Sequence, residues 1–349
     1  MLRVTLRDLQ WRRRRFVIAI IGTSLVFAMT LVLTGLSNGF RVEANNTVDA
    51  LGVDSYLVRS GPAGPFIGSP PFPESEVARA ARIPGVEAAV PLVYAATTVP
   101  DGDSTRNVNV FGGPAQGPGM PAIASGRAPA GADEAAVSST LGSDIGEQLE
   151  LASRSMRIVG IVDDSTALAG QPNVFVTVQG AQQMGYSGQP IVSSVGIRGT
   201  PTQIPDGYRA IDRAGAVDDL MRPMIAAVAA ITLMAVLLWI VAALIVGSII
   251  YLSALERTRD FAVLKAVGVA TRSVLAGLCL QAVIVAVVAA MLGGLLSLVL
   301  GPLFPMRVVV PVSAFLLLPV IAVLIGLLAS FAGLRRAVTI DPALAFGGP

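Results

Sequence analysis

Long apolar segments without charged residues alternate with shorter charged segments along the chain. Four stretches contain no Asp, Glu, Lys or Arg: Phe16–Phe40, Pro223–Leu255, Ser273–Met306 and Val308–Leu334. Each exceeds the roughly 20 apolar residues that cross a hydrocarbon core of about 30 Å as a helix. The pattern predicts a helical membrane protein with four transmembrane helices, at residues 16–40, 223–255, 273–300 and 312–334.

The polar insert between the first two apolar stretches has the pattern of an independent domain. Helical periodicity appears at Glu74–Arg82, while short β-favouring runs alternate with Gly- and Pro-rich loops. The strand candidates are Asp54–Arg59, Val86–Val99, Arg106–Phe111, Glu134–Ser138, Gln148–Leu151, Arg157–Val162, Asn173–Val178 and Val192–Arg198. We expect an α+β domain over residues 41–222. We also expect helical stalks at its ends, because Pro223–Leu255 would be about 50 Å long as a helix.

Basic residues are concentrated in the three segments that would lie on one side of the membrane. These are residues 1–15, the loop 256–272 and the tail 335–349, which contain 12 basic and 4 acidic residues. The insert contains 12 arginines and 19 acidic residues, a net charge of −7. By the positive-inside rule, both termini should be cytoplasmic. The insert and the turn 301–311 should then be extracytoplasmic.

The basic N-terminal segment has more than one interpretation. Leu2, Leu6 and Leu9 have helical spacing near Trp11, which favours a short interfacial helix; a basic anchor without fixed shape is the alternative. A cleaved signal peptide is disfavoured because the apolar run Phe16–Leu36 is longer than the usual signal core of about 7–15 residues.

Composition excludes several classes of chemistry. The chain has no histidine, which excludes Ser/His/Asp triads and histidine metal ligands. Its one cysteine, Cys279, lies in an apolar stretch and cannot form an intrachain disulfide. Its one lysine, Lys265, precedes Ala266, whereas a P-loop requires Ser or Thr after the lysine. We therefore expect no enzyme, metal or cofactor in this chain, and any ATP must be hydrolysed by another polypeptide.

Adjacent acidic residues in the insert are the remaining candidates for chemistry. The pairs are Asp133–Glu134, Asp163–Asp164 and Asp218–Asp219. Neighbouring residues on a strand point to opposite faces, so such pairs do not converge by themselves. We predict that they lie on the solvated surface, and we assign them no catalytic role.

The loop after the second apolar stretch contains the most specific motif. Glu256–Arg257 is followed by a short charged spacer and then by apolar residues leading into Lys265–Gly268 (KAVG). This pattern resembles the signature of FtsX-like ABC permeases, the family that includes MacB and the Lol lipoprotein extractors. The tail, Arg335–Arg336 followed by Asp341–Ala343 (DPA), resembles the closing motif of that family.

The insert resembles the same family. Ile83–Val86 (IPGV) is similar to a segment of the MacB-type periplasmic core, and Ser125–Arg127 (SGR) and the later strand candidates follow in the same order. The resemblance implies a MacB-like extracytoplasmic core domain between helices 1 and 2 of a type VII ABC system in the bacterial inner membrane.

The charged loop is the candidate functional site. Phe261, Leu264 and Val267 can share one face of a short amphipathic helix, which is a form that docks into a groove on a soluble partner. The resemblance implies that this is the coupling helix contacting the ATPase; a solvated connector is the alternative. The residues assigned to ATPase coupling are Glu256, Arg257, Arg259, Asp260, Phe261, Leu264, Lys265 and Gly268.

The resemblance implies a permease subunit, with two copies assembled in the membrane with two copies of an ATPase that binds ATP and Mg²⁺. The expected role is export or extraction of a lipid, lipoprotein, peptide or drug, with an extracytoplasmic protein or lipid as substrate and no nucleic-acid partner. A mechanotransmitting regulator of a cell-wall hydrolase or sensor is the alternative, and a glutamine-like amino-acid importer is less favoured. A proton-coupled carrier is disfavoured because the apolar stretches contain no Asp, Glu, Lys or Arg that could form a path for protons.

Overall fold

The computed structural model describes residues 13–256 and 271–338. The chain divides into two compact units, which are Met1–Asn38 together with Ala227–Pro349, and Gly39–Ala226. We call them the helical unit and the insert domain. The helices of the described residues are α1 (Arg13–Ala50), α2 (Ser75–Ala80), α3 (Val178–Gly185), α4 (Arg213–Leu220), α5 (Ile225–Glu256), α6 (Thr271–Leu300) and α7 (Val312–Val338).

The helical unit is built from helices whose composition suits a membrane. Among the residues that the structure describes, three segments are long and apolar enough to cross a bilayer: Phe16–Ala50, Arg222–Ile249 and Cys279–Leu303. Val312–Leu328 is a shorter apolar helix, so the fourth crossing stays a prediction. Polar side chains in α1 do not interrupt it, because the hydroxyls of Thr30 and Thr34 donate to backbone carbonyls one turn earlier.

Small residues bring the helices of this unit close together. The buried face of α6 carries alanines at Ala282, Ala286, Ala289 and Ala290. A Cβ at Gly293 would lie 2.8 Å from the Cβ of Phe27 on α1, and one at Gly326 would lie 3.1 Å from backbone atoms of Ala282. Side chains this small allow helix backbones to approach, as is usual for helices packed within a membrane.

The insert domain is organised around one large mixed sheet. Its strands are β1 (Ser55–Arg59), β2 (Phe72–Pro73), β3 (Val86–Asp101), β4 (Ser104–Gly113), β5 (Ser125–Gly126), β6 (Glu134–Ser138), β7 (Gln148–Leu151), β8 (Arg154–Val162), β9 (Thr166–Ala167), β10 (Gln171–Thr177), β11 (Ile191–Val192), β12 (Ser194–Gly199) and β13 (Tyr208–Asp212). The order across the sheet is β13-β1-β12-β3-β4-β10-β6-β8-β5, with β7 on β8 and β9 on β10, while β2 and β11 form a separate pair.

Strand register places the aromatic residues of the core beside one another. Tyr94 on β3 is opposite Phe111 on β4, and Phe111 is opposite Phe175 on the parallel strand β10. The ring of Phe111 stacks on Phe175 with centroids 5.6 Å apart and meets Tyr94 edge-on at 5.3 Å. Such aromatic pairs add about 0.5–1.5 kcal/mol each to the stabilisation from buried area.

Most of the predicted elements of the insert are present. Glu134–Ser138 and Gln148–Leu151 form β6 and β7 with the predicted bounds, and the α+β class is confirmed. The pattern did not predict the two-residue strands β2, β5 and β9, the edge strand β13, or the helices α3 and α4. For α4 a signal was present, because the Asp212 carboxylate accepts the N–H of Gly215 as a helix cap.

Candidate functional site

The predicted coupling loop falls almost entirely outside the described residues. Glu256 is the last residue of α5 and is exposed. The other residues assigned to coupling lie outside the described ranges; they are Arg257, Arg259, Asp260, Phe261, Leu264, Lys265 and Gly268. Their role in ATPase coupling therefore stays a prediction. The interfacial helix expected in the basic segment 1–15 also stays a prediction, because residues 1–12 lie outside the described ranges.

Within the described residues, the end of α1, which belongs to the insert domain, forms buried polar contacts with another part of that domain. Glu43 and Thr47 lie one helical turn apart and are 1% and 2% exposed. Glu43 Oε2 accepts the N–H of Gly170 at 2.9 Å, and the Thr47 hydroxyl donates to the carbonyl of Thr166 at 3.0 Å. We call Glu43 and Thr47 the helix anchor. Both of its partners belong to the hairpin formed by β9 and β10.

Asn173 connects the helix anchor to the interior of the sheet. Its side chain is completely buried, and Nδ2 donates to Thr47 Oγ1 at 3.0 Å and to Ser165 Oγ at 3.1 Å. Thr47 therefore donates through its own hydroxyl proton and accepts from Asn173 at the same oxygen. Because a buried polar group that loses its partner costs about 1–3 kcal/mol, this network defines one position of the helix on the domain.

The hairpin turn that meets the helix anchor has a strained backbone. Leu168 and Ala169 have φ angles of 49° and 68°, in the left-handed region that residues with a side chain rarely adopt, and Gly170 follows at 82°. A non-glycine residue in such a region costs about 1–3 kcal/mol and persists where surrounding contacts hold it. The bond from the Gly170 N–H to Glu43 is one such contact.

The end of α1 also has a buried apolar face. Phe40, Ala44 and Val48 are four residues apart along the helix and are buried, as is Leu51 just after the helix. Beyond the helix, the Leu51 carbonyl accepts the N–H of Gly119 at 2.6 Å. The last three turns of α1 are therefore fixed by apolar packing as well as by the helix anchor.

Two ion pairs connect α1 with α4. Arg41 lies 3.4 Å from Asp218, and Asp49 pairs with Arg213. All four side chains are about half exposed or more, so each pair contributes about 0–1 kcal/mol. Their small energy is less informative than their position, because they join α1 to α4, the α-helix that precedes α5 in the chain.

The electrostatics of this region do not favour proton chemistry near neutral pH. Burial raises the pKa of Tyr56, which lies near the Asp49–Arg213 pair, well above its ordinary value of 10. Burial, together with the charge of Asp219, raises the pKa of Tyr94 to about 12. Among residues 13–256 and 271–338, no group of three or more Cys, Asp or Glu side chains could hold a metal ion. The arrangement can hold and orient a helix.

The sequence pattern was wrong about one acidic pair and did not identify the helix anchor. Asp219 was predicted on the solvated surface but is 3% exposed, because α4 turns it towards the domain while Asp218 points outward. Glu43 and Thr47 were not identified, although polar residues four positions apart on a helix that runs past its apolar stretch are a usable signal. The contribution of Asn173 could be identified only from the tertiary structure, because its partner Thr47 lies 126 residues earlier in the chain.

Comparison with protein-family models gives two matches. Residues 232–342 match the FtsX-like permease C-terminal model, and residues 16–211 match the MacB-like periplasmic core domain model. The uncharacterized ABC transporter permease Rv2563 of Mycobacterium tuberculosis H37Rv is 65% identical over 349 residues, 100% of each chain. Permease Rv0072 of the same strain is 60% identical over the same length. The periplasmic region of MacB from Actinobacillus actinomycetemcomitans aligns with a TM-score of 0.34 at 9% identity, covering 47% of this chain and 91% of that one.

Proposed function

The chain belongs to the FtsX-like ABC transporter permease family and carries a MacB-like periplasmic core domain, and from this we propose that it moves that domain with energy from a separate ATPase. In this proposal four helices cross the bacterial inner membrane, both termini are cytoplasmic, and the insert domain is extracytoplasmic. Two copies assemble with two ATPase subunits, which bind ATP and Mg²⁺ and carry out the hydrolysis.

The observation that carries the proposal is the continuity of α1. The helix runs without a break from Arg13 to Ala50, so it includes an apolar segment long enough to cross a membrane and the anchored turns of the insert domain. A regular helix has every internal backbone hydrogen bond made, which makes it stiff along its length. Displacement of its apolar segment would therefore be passed to the residues that contact Glu43 and Thr47.

The second helix supplies the connection to the ATPase in this proposal. Helix α5 ends at Glu256, and the predicted coupling residues, from Arg257 to Gly268, follow directly. Closure of the ATPase pair would push the coupling helices, and the insert domains would change between two arrangements as rigid bodies. The apolar stretches contain no charged residue, so the proposal needs no polar path for a substrate through the helices.

The proposed task is export or extraction of an amphiphile such as a lipid, lipoprotein, peptide or drug. Regulation of an extracytoplasmic hydrolase by the same movement is the alternative. Reconstitution with the ATPase that co-purifies with the chain distinguishes the two. Movement of a labelled lipid or peptide that depends on ATP turnover supports export, whereas turnover that only activates an added cell-wall hydrolase supports regulation.

Movement of the insert domain can be tested directly with one spin label per copy. Glu150 on β7 is exposed and can be changed to cysteine in a Cys279→Ser background. In nanodiscs with the co-purifying ATPase, we expect the distance between the two labels to change when ATP is trapped with vanadate. The measurement is double electron–electron resonance with and without nucleotide.

A break in α1 should abolish that change. Asn46 is exposed between the residues of the helix anchor, and Asn46→Pro removes one backbone hydrogen bond and disrupts the helix at a cost of about 3 kcal/mol. We expect this variant to bind the ATPase and hydrolyse ATP without the distance change, while the matched control Asn46→Ala behaves as the parent does. An unchanged distance in the parent protein, or ATP hydrolysis by the chain without a partner, would contradict the proposal.

A further inference from the structure

A buried carboxylate lies at the point where the insert domain leads into the second apolar helix. Asp219, on the last turn of α4, is 3% exposed and accepts three backbone N–H groups from one loop. The donors are Gly64 at 3.1 Å, Phe66 at 2.9 Å and Ile67 at 3.0 Å. A carboxylate with this many donors is strongly oriented, because hydrogen bonds to a charged group are shorter and stronger than neutral ones.

Two arginines complete the attachment of this loop. Arg222 lies 2.7 Å from Asp219 Oδ1 and also donates to the carbonyl of Pro62 at 3.0 Å. Arg209 donates to the carbonyl of Ala63 at 2.8 Å. A Cβ at Gly64 would lie 2.1 Å from Asp219 Cγ, so glycine is required where the carboxylate meets the backbone. We call the contact of Asp219 with Gly64, Phe66 and Ile67 the loop clasp.

The loop held by the clasp inserts an aromatic ring into the centre of the insert domain. Phe66 is buried, and its ring meets Tyr56, Tyr94 and Phe111 edge-on with centroids 5.4 Å, 5.8 Å and 5.8 Å away. These partners lie on β1, β3 and β4, which belong to the large sheet. The clasp therefore joins α4 to the sheet through a single short loop.

The clasp adjoins α5 in the chain. Arg222 belongs to the 3₁₀ turn Arg222–Met224, and α5 begins at the next residue, Ile225. Asp219 therefore lies six residues before the first residue of the helix that precedes the predicted coupling loop.

We propose that Asp219 is a positioning residue that carries displacement of the second apolar helix into the aromatic core of the insert domain through the loop from Gly64 to Ile67. This inference rests on the proposed function, and it adds a second route to the one through α1. Phe66 is the contact by which the loop moves the sheet. The negative charge of Asp219 is also felt at the core, where it raises the pKa of Tyr94 in addition to the effect of burial.

The test uses the full chain with its co-purifying ATPase, the label at Glu150→Cys and the Cys279→Ser background. Asp219→Asn keeps the size of the side chain but removes its charge and one acceptor oxygen. We expect this variant to bind the ATPase and hydrolyse ATP as the parent does, but to lose the nucleotide-dependent distance change. Asp218→Asn is the matched control, because its exposed neighbouring carboxylate pairs with Arg41, and this variant should keep the change.

A second variant and a second measurement separate transmission from folding. Phe66→Leu leaves the backbone of the clasp in place and fills most of the same volume, and it should also abolish the distance change. Hydrogen exchange of the Phe66 and Ile67 amides should depend on nucleotide in the parent and not in Asp219→Asn. Full distance changes in Phe66→Leu, or in a protease-resistant Asp219→Asn, would overturn this inference and leave the proposed function intact. No distance change in the parent would overturn both.

Discussion

The two helices that connect the helical unit with the insert domain differ sharply in their surroundings. Within Phe16–Ala50 of α1, 50% of the most apolar stretch is buried by the described residues, compared with 11% within Arg222–Ile249, which contains most of α5. Helix α1 also continues into the domain with buried polar contacts, whereas α5 begins after a 3₁₀ turn that contains Pro223. Helix α1 is thus packed and anchored, whereas much of the apolar surface of α5 is not covered by the residues that the structure describes, apart from a buried strip that includes Ala242 and Val246.

This difference shows that similar apolar sequences can have different neighbours. The exposed side chains of α5 include Leu233, Leu237 and Leu244. In a membrane such a surface is covered by lipid or by another helix, and a second copy of the chain is the partner that the proposed assembly supplies. In the proposed assembly, α1 would be the fixed element of each copy and α5 the element nearest the partner and the ATPase.

The largest expected effect concerns the loop that follows α5. Phe261→Ala combined with Leu264→Ala should reduce recovery of the ATPase about tenfold or more, because loss of apolar anchors at an interface costs at least about 1.4 kcal/mol. Charge reversal in Glu256→Lys should act in the same direction. Co-purification from membranes measures the effect, with Ala262→Ser on the opposite side of the predicted helix as the control. Unchanged recovery of the ATPase, with normal membrane insertion, would contradict the coupling assignment.

The next effect tests the close packing of α1. Gly293→Ala places a Cβ 2.8 Å from Ser24 O and from Phe27 Cβ, so we expect destabilisation by about 1–3 kcal/mol. Gly277 lies on the same helix, and a Cβ there would meet no described atom within 4 Å other than its own helix backbone and chain neighbours, so Gly277→Ala should instead stabilise the helix by up to about 1 kcal/mol. Thermal unfolding midpoints in nanodiscs should move in opposite directions. A rise for both variants would show that α1 and α6 are not closely packed.

The third effect concerns local stability, and it compares a buried contact of α1 with an exposed one. Thr47→Val keeps the side-chain shape but removes hydrogen-bond partners from Thr166 and Asn173, at a cost of about 1–3 kcal/mol. Asp49→Asn affects an exposed ion pair and should cost about 0–1 kcal/mol. Hydrogen exchange of the β9–β10 hairpin in the full chain measures both. Equal effects would show that the helix anchor has no special role.

The smallest effect is expected away from both helices. Arg127 hydrogen-bonds to Glu134 and, with the N–H groups of Ala130 and Gly131, lowers the pKa of Glu134 from 4.5 to about 2. Because the pKa is lowered on folding, the stabilisation is complete above about pH 4.5 and is lost as the pH falls towards 2. The difference in unfolding midpoint between the parent and Glu134→Gln should shrink over that range. A difference in unfolding midpoint that does not change with pH would contradict the lowered pKa of Glu134. Glu134→Gln should leave the nucleotide-dependent distance change unaffected.

The sequence predicted which segments form strands better than it predicted which strands pair with one another. The strands β6 and β7 have the predicted bounds because the short β-favouring runs that form them, and the alternation of polar and apolar residues in β7, are local properties. The partner of each strand was not predictable, because β6 pairs with β8 and β10, and β10 pairs in turn with β4, across long separations in sequence. Asp219 was misplaced for the same reason, since its N–H partners lie more than 150 residues earlier in the chain.

The apolar stretches, the charge distribution and the motif after α5 were determined by the sequence alone, because each depends on residues that are close together in the chain. The tertiary structure decided that α1 is anchored through Glu43 and Thr47, that described residues cover only a narrow strip of α5, and that Asp219 holds the loop carrying Phe66. These are properties of burial and hydrogen-bond geometry. They arise only when segments far apart in sequence exclude water from one another, and that is why no local pattern contained them.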